Sequence, residues 1–189
     1  HAREVQRLGP VADRLEALVA AFAAAGEAEV IVTSGGASVG DHDLIRPALE
    51  AWGAKIDFWR IAIKPGKPLL VARKGPQWII GLPGNPVSTH VTCFLFVLPL
   101  LRALAGASQP QPRAMALPLD GSLRAIGHRA EFLRARFGPA GVVPLVEQDS
   151  SALLALSTAE CLIHRAINAP AAAPGELVQV YWLHNGGSA

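Results

Sequence analysis

The sequence predicts an α/β domain, three-layered around a mostly parallel sheet, followed by a small all-β domain. Three observations carry this. Up to about Ala105, short β-branched runs alternate with amphipathic helical stretches, the pattern that winds a parallel sheet. Beyond Gly106 the helical period disappears, and short apolar runs are separated by Gly-Pro turns, as in a small barrel or sandwich. Between the two lies Gln109-Pro110-Gln111-Pro112, a stiff linker, which puts the domain limits at 1–108 and 113–189.

The elements follow in order. Glu4 to Leu8 reads as a short strand. From Val11 to Gly26 the pattern is helical: Leu15, Leu18, Val19 and Phe22 share a face, Asp13 with Glu16 forms a capping box, and Gly26 closes the end. Glu29 to Thr33 is a β-branched strand running into a glycine loop. Leu44 to Trp52 is a second helix, with Asp43 placed to cap it and Gly53 to stop it. Ile56–Ile63, Leu69–Ala72 and Gln77–Gly81 read as strands. A helix starts near Pro86, a residue suited to the first helical position, with Asn85 as its cap. Its continuation, Val87 to Ala105, is apolar enough for a membrane span. His90, Pro99 and Arg102 within it, and the Pro-Gly-Asn-Pro turn before it, predict a buried core helix instead. In the second domain the strand-like runs are Met115–Leu119, Glu131–Phe137, Val142–Val146, Cys161–Ile167 and Leu177–Leu183.

Composition narrows the class of function. Hydrophobic residues make up 51% of the 189 and charged ones 17%, which excludes a disordered chain. The net charge of +2 implies no polyanionic partner. Yet Arg60, Lys64, Lys67, Arg73 and Lys74 fall close together, and such a patch suits a small anion better than a nucleic acid duplex. No nucleic acid and no membrane partner is expected. Cys93 and Cys161 each lie in an apolar run without zinc or redox-pair spacing, which predicts buried thiols in a reducing cytoplasm. Trp52, Trp59, Trp78 and Trp182 are read as core or interface aromatics. The chain opens on His1 with neither an initiator Met nor a signal peptide, and is expected to continue upstream.

Three loops carry the chemistry. In Thr33-Ser34-Gly35-Gly36-Ala37-Ser38-Val39-Gly40-Asp41-His42-Asp43, glycines let backbone N–H groups approach an anion, and Thr33, Ser34 and Ser38 add hydroxyls. The helix start that follows adds further N–H donors. An ordinary glycine-rich turn fits the spacing equally well. Asp41 and Asp43 stand where a divalent cation bridging to phosphate would need oxygen ligands, although capping accounts for Asp43 alone. In Ile63-Lys64-Pro65-Gly66-Lys67-Pro68 a rigid turn presents two ammonium groups, a candidate anion site. Gly81-Leu82-Pro83-Gly84-Asn85-Pro86-Val87-Ser88 again ends a strand and opens a helix; it is either a second ligand loop or a tightly capped helix start. In a parallel sheet these loops line one crevice.

Together, in this order and spacing, the three loops resemble the molybdopterin molybdenumtransferases (the MoeA and gephyrin E-domain family). The resemblance covers Glu4 to about Ala105 and extends more loosely over Arg129–Arg134, Gln148–Ser151 and Gly175–Val180. It implies the molybdopterin-binding fold and a reaction: adenylylated molybdopterin and molybdate are converted, with Mg2+, to molybdenum cofactor and AMP. Lys64 and Lys67 would then bind anionic groups, and Asp43 would be a catalytic or metal-binding carboxylate beside Asp41. Thr33, Ser34, Gly35, Gly36, Ser38, Gly40, Pro83, Gly84, Asn85, Pro86 and Ser88 would hold phosphate and substrate, and Ser150 would be brought near from the second domain. Asp13 matches an acidic position of the family, with capping as the other reading. The resemblance also implies an upstream strand and helix with a Thr-Gly loop, two further N-terminal domains, a homodimer of the full-length protein, and an adenylyltransferase as partner. Where the family commonly has Asn-Gly after the position of Ala159, Glu160 and Cys161 stand here. Two other readings remain at this stage: a related molybdopterin adenylyltransferase, which normally lacks the Lys-Pro-Gly-Lys-Pro loop, and a non-catalytic pterin-binding or scaffold module.

Overall fold

Along the strand Pro68–Lys74, Leu70 and Ala72 are buried on one face and Leu69 and Val71 on the other, the period-two pattern of a strand covered on both sides. The computed structural model, which describes residues 4–35, 44–149 and 156–183, shows what covers them. In chain order the first elements are α1 (Leu15–Ala24), β1 (Val30–Ser34), α2 (Ile45–Ala51), β2 (Lys55–Arg60), β3 (Ile63–Lys64), β4 (Pro68–Lys74) and β5 (Gln77–Leu82). Four of these strands form one sheet, in the order β1-β5-β4-β2. On one face Leu18 and Phe22 of α1 and Ala48 and Leu49 of α2 pack on Leu70, Ala72 and Ile79.

The other face is covered by one long helical stretch. α3 (Pro86–Thr92) runs through a π-helical segment, Cys93–Val97, into α4 (Leu98–Leu104). The widening has a local cause. Pro99 has no N–H and its ring crowds the carbonyl four residues back, so the ladder opens and the Leu98 N–H donates to the Cys93 carbonyl. Val97, Phe96, Leu100 and Leu101 pack on Leu69, Val71, Ile80 and Leu82. A second stripe, Val91, Phe94, Leu95 and Leu98, packs on Phe132, Leu162 and Tyr181 of the second sheet. Apolar demand on two sides gives Pro86–Leu104 the hydropathy of a membrane span, although the stretch is core between two sheets.

That second sheet contains β6 (Ala114–Pro118), β7 (Ala130–Gly138), β8 (Gly141–Pro144), β9 (Cys161–Arg165) and β10 (Leu177–Trp182), each within two residues of its expected start. Its order is β3-β7-β9-β10-β6, with β8 on β7. A bridge between Leu119 and Val142, and the 2.9 Å bond from the Asp120 N–H to the Val142 carbonyl, curl it toward a barrel. Leu119, Ala135, Val142, Cys161, Ile163 and Val180 fill the interior. Burial there pushes the Cys161 thiol up to about 12, with the Glu160 carboxylate adding to the shift; Cys93, only half-buried against the first sheet and so not the buried thiol expected, is raised by its own burial. Both cysteines are free. Burial also lowers the pKa of His164, which stacks on Phe132 at 4.8 Å. Where Asn-Gly was expected, the turn is closed differently: the Glu160 side chain accepts the Phe137 N–H at 2.9 Å.

Four expectations are corrected. The first sheet is mixed: β1 and β5 are parallel, while β5–β4 and β4–β2 are antiparallel. The cause is the short Gly75-Pro76 turn between β4 and β5, which makes a hairpin where a crossover helix would have made a parallel pair. The run Ile56–Ile63 is broken, because β3 leaves β2 to pair in parallel with β7 of the other sheet. Residues Glu4 to Leu8 form no strand; Val5 is 82% exposed, and no strand pairs with this segment among the described residues. The Asp13–Glu16 capping box is absent, since the helix begins one residue later with extended Arg14 at the N-cap and no side-chain cap bond.

Candidate functional site

All three loops arrive at one edge of the first sheet. β1 and β5 run in parallel and end there, at Ser34 and Leu82. β4 runs the other way, so it is its beginning, Pro68, that lies at this edge, beside the end of β2 at Arg60. The lysine loop therefore joins the crevice because β4 is antiparallel, a different reason from the all-parallel arrangement expected.

The Pro-Gly-Asn-Pro segment stands between its neighbours. On one side Gly84 lies against Gly35, so that a Cβ on Gly84 would come within 3.3 Å of the Gly35 Cα; the Gly35 N–H donates to the Leu82 carbonyl at 3.2 Å. Asn85 caps α3 as expected, its side chain accepting the N–H groups of Val87 and Ser88 at 3.1 and 3.3 Å. Pro86 occupies the first turn, and the Thr89 hydroxyl donates to the carbonyls of Pro83 and Asn85. On the other side Gly66 of the lysine loop meets Thr92 of α3. Thr33 pairs with Gly81, and its buried hydroxyl has no partner among the described residues; Ser34 is exposed at the strand end. Gly36, Ser38, Gly40, Asp41, Asp43 and Ser150 lie outside the described residues.

Between the lysine loop and the second sheet opens a cleft of about 840 Å³. Lys64, Lys67 and Ser88 line it from the first half, and Arg124, Arg129 and Glu131 from the second. The opposite wall is Leu145 and Glu147–Asp149. Of the predicted residues, Thr33, Ser34, Gly35 and Pro83–Pro86 stand behind this cleft, outside its lining. A smaller depression of about 470 Å³, lined by Arg60, Lys67, His128 and Arg129, adjoins it.

The wall is stapled from beneath. Arg134 is 1% exposed, and its guanidinium donates to the carbonyls of Glu147 and Asp149 at 3.0 and 2.9 Å. Gln148 accepts the Arg134 N–H at 3.0 Å and donates to the carbonyls of Arg134 and Leu145. Burial lowers the pKa of Arg134, and the Glu147 and Asp149 carboxylates oppose the shift.

The single cationic patch does not form. β4 spans about 20 Å at strand rise, so Arg73 and Lys74 lie at the far end of the sheet from Lys64 and Lys67. There Arg73 pairs with Asp57 at 2.9 Å, and Lys74 lies over Trp52 and donates to its carbonyl. Three tryptophans are half-buried, Trp52 stacked on Phe22, Trp59 under Arg46 and Arg60, and Trp78 under Arg73, whereas Trp182 is exposed and meets Phe137 edge-on. Motif reading missed Arg124 and Glu131. Arg124 has no sequence signal and Glu131 only its place within the run Arg129–Arg134, and β3–β7 pairing brings them to the lysine loop.

With this geometry in view, the relatives are informative. Residues 1–103 match the family described as a probable molybdopterin binding domain, and residues 116–183 match the MoeA C-terminal region, domain IV. A molybdopterin molybdenumtransferase of Haemophilus influenzae is 41% identical over 134 residues, covering 69% of this chain and 33% of the relative. The molybdenum cofactor synthesis protein cinnamon of Drosophila melanogaster is 36% identical over 160 residues, covering 79% of this chain and 26% of the relative. The chain thus spans about a third or less of the length of these curated relatives. Among solved structures, the molybdopterin biosynthesis MoeA protein of Pyrococcus horikosii superposes with a TM-score of 0.74 at 28% identity, over 93% of this chain and 42% of that one. The chain belongs to this family: it is a MoeA-type protein whose first half matches the probable molybdopterin-binding domain and whose second half matches the MoeA C-terminal region.

Proposed function

We propose that the chain acts in molybdenum cofactor biosynthesis as part of a molybdopterin molybdenumtransferase, inserting molybdate into adenylylated molybdopterin and releasing AMP. The observation that carries this reading is the cleft in which Lys64, Lys67, Arg124 and Arg129 converge with the buried Ser88. Molybdate, a phosphate monoester and a phosphoanhydride are all oxyanions. Converging cations suit the charge that develops on their oxygens. In this proposal Lys64 and Lys67 hold the oxyanion. Thr33, Ser34, Gly35, Gly36, Ser38 and Gly40 hold phosphate, Pro83, Gly84, Asn85, Pro86 and Ser88 shape the pterin side, and Ser150 approaches from the second domain. The two units, 1–108 and 113–189, would each contribute one wall.

Mg2+ is the expected cation. No cluster of three His, Cys, Asp or Glu side chains occurs among the described residues, so its oxygen ligands are proposed to be Asp41 and Asp43. When bound it would neutralise charge on the phosphoanhydride. Cytoplasmic location fits the two free thiols, and a homodimer and an adenylyltransferase partner extend the proposal from the family resemblance.

The test is an assay of the full-length protein with adenylylated molybdopterin, molybdate and magnesium. AMP release is expected, with a loss of about 10²-fold in kcat for Lys67→Ala, the scale of removing one charge-stabilising donor. Asp43→Ala is expected to abolish it. Pterin binding without AMP release would make the protein a binding module and overturn the proposal.

A further inference from the structure

We propose that Glu131 is a positioning residue that sets how tightly the cleft holds its oxyanion. The inference rests on the oxyanion reading of the cleft given above. Glu131 is 7% exposed, on β7, with its carboxylate at the cleft lining. Arg124 donates to both of its oxygens, at 2.8 and 3.1 Å, and the Lys64 ammonium lies 3.9 Å from Oε1. Lys64 and Glu131 are register partners across the parallel β3–β7 pair, so their side chains share a face of the sheet. Both cations are themselves about half exposed or more, with side-chain exposures of 48% and 65%. One buried carboxylate therefore anchors two solvent-exposed cations that come from different halves of the chain.

This arrangement has two effects of opposite sign on ligand binding. It fixes the ammonium and the guanidinium at the cleft, which lowers the ordering cost of engaging a ligand. It also places a negative charge beneath the oxyanion and competes with it for the same donors. Glu131 thus trades affinity for orientation and release. A cleft with only cations would hold molybdate and its competitors too tightly to turn over.

The sign of the predicted effect separates this role from a structural one. In Glu131→Gln the shape is kept and the charge removed. Molybdate alone, titrated into the full chain by calorimetry, is expected to bind roughly tenfold tighter, the effect of a unit charge several ångströms away at an effective dielectric between water and protein. In turnover, KM for molybdate and kcat are expected to fall together. A merely structural glutamate would give weaker binding and a raised KM. Equal or weaker molybdate binding in E131Q overturns the inference alone. Absence of saturable molybdate binding to both proteins overturns the cleft reading, and this inference with it. A measurement on the unmutated chain keeps the test independent of whether E131Q folds. The 13C resonance of the Glu131 carboxylate is expected to move on saturation with molybdate, as its two cations turn toward the ligand. A resonance that stays in place while molybdate binds counts against the proposal.

Discussion

Replacing Gly66 by alanine is expected to destabilise the protein by about 3 kcal/mol and to weaken oxyanion binding at least tenfold. Two independent constraints converge on this position. Its φ of +112 lies in a region that L side chains rarely adopt. A Cβ there would also come within 2.5 Å of the Thr92 Cγ2 and 3.2 Å of the Ile63 Cδ1. Thr92 has little room to yield. It is fully buried in α3, and its hydroxyl donates to the carbonyls of Ser88 and Thr89 at 2.7 and 3.2 Å. Something must move, and the lysine loop, whose two lysines are exposed, is the softer partner, so Lys64 and Lys67 are expected to be displaced from the cleft. Thr92→Ser in the Gly66→Ala background removes the clashing methyl but keeps the hydroxyl. It should recover about 1 kcal/mol, the scale of a relieved overpacking contact, and leave the φ penalty in place. Urea denaturation of the single and double variants reads both quantities. A Gly66→Ala protein as stable as its parent would show that the loop carries no such constraint.

The second large effect is expected at Arg134. Truncation to alanine removes the largest fully buried side chain among the described residues, two charge-assisted bonds to the Glu147 and Asp149 carbonyls, and the volume it fills. Relief of the buried charge offsets part of this, leaving a net loss of about 3 kcal/mol. The consequence should not be confined to stability. Leu145 and Glu147–Asp149 are one wall of the cleft, and losing the guanidinium would remove its two bonds to the Glu147 and Asp149 carbonyls, leaving the Gln148 side chain and the Leu145 N–H among the ties to β7. Hydrogen exchange is expected to quicken at Leu145, whose N–H donates to the Arg134 carbonyl at 2.9 Å, before β7 itself loosens. Uniform acceleration across β7 would instead mean that the arginine supports the whole sheet.

The sequence made the elements legible because their period and punctuation are local. The Asn85 cap, Pro86 in the first turn, and the strands Pro68–Lys74 and Gln77–Leu82 all follow from neighbours a few residues apart. The direction of β4 was present as well, in the Gly75-Pro76 turn, but strand–helix alternation elsewhere argued for parallel pairing. What could not be read was long-range. Arg124 and Glu131 stand about sixty residues beyond the lysine loop and reach it through β3, a two-residue strand too short to leave a pattern. The division of the basic cluster was hidden for a simpler reason. Residues adjacent in sequence are far apart once β4 is extended between them.

The helix from Pro86 to Leu104 has a consequence for how the molecule can open. Its two apolar stripes are shared between the two sheets, and β3 is donated from one half to the other. Each half has a core of its own, and the two share this one besides. Widening the cleft by drawing the halves apart would bare Phe94, Phe132 and Leu162 to water together with the β3–β7 pairing. A widening of the cleft that spares this shared core would be confined to the lysine loop and the Leu145–Asp149 segment that line it.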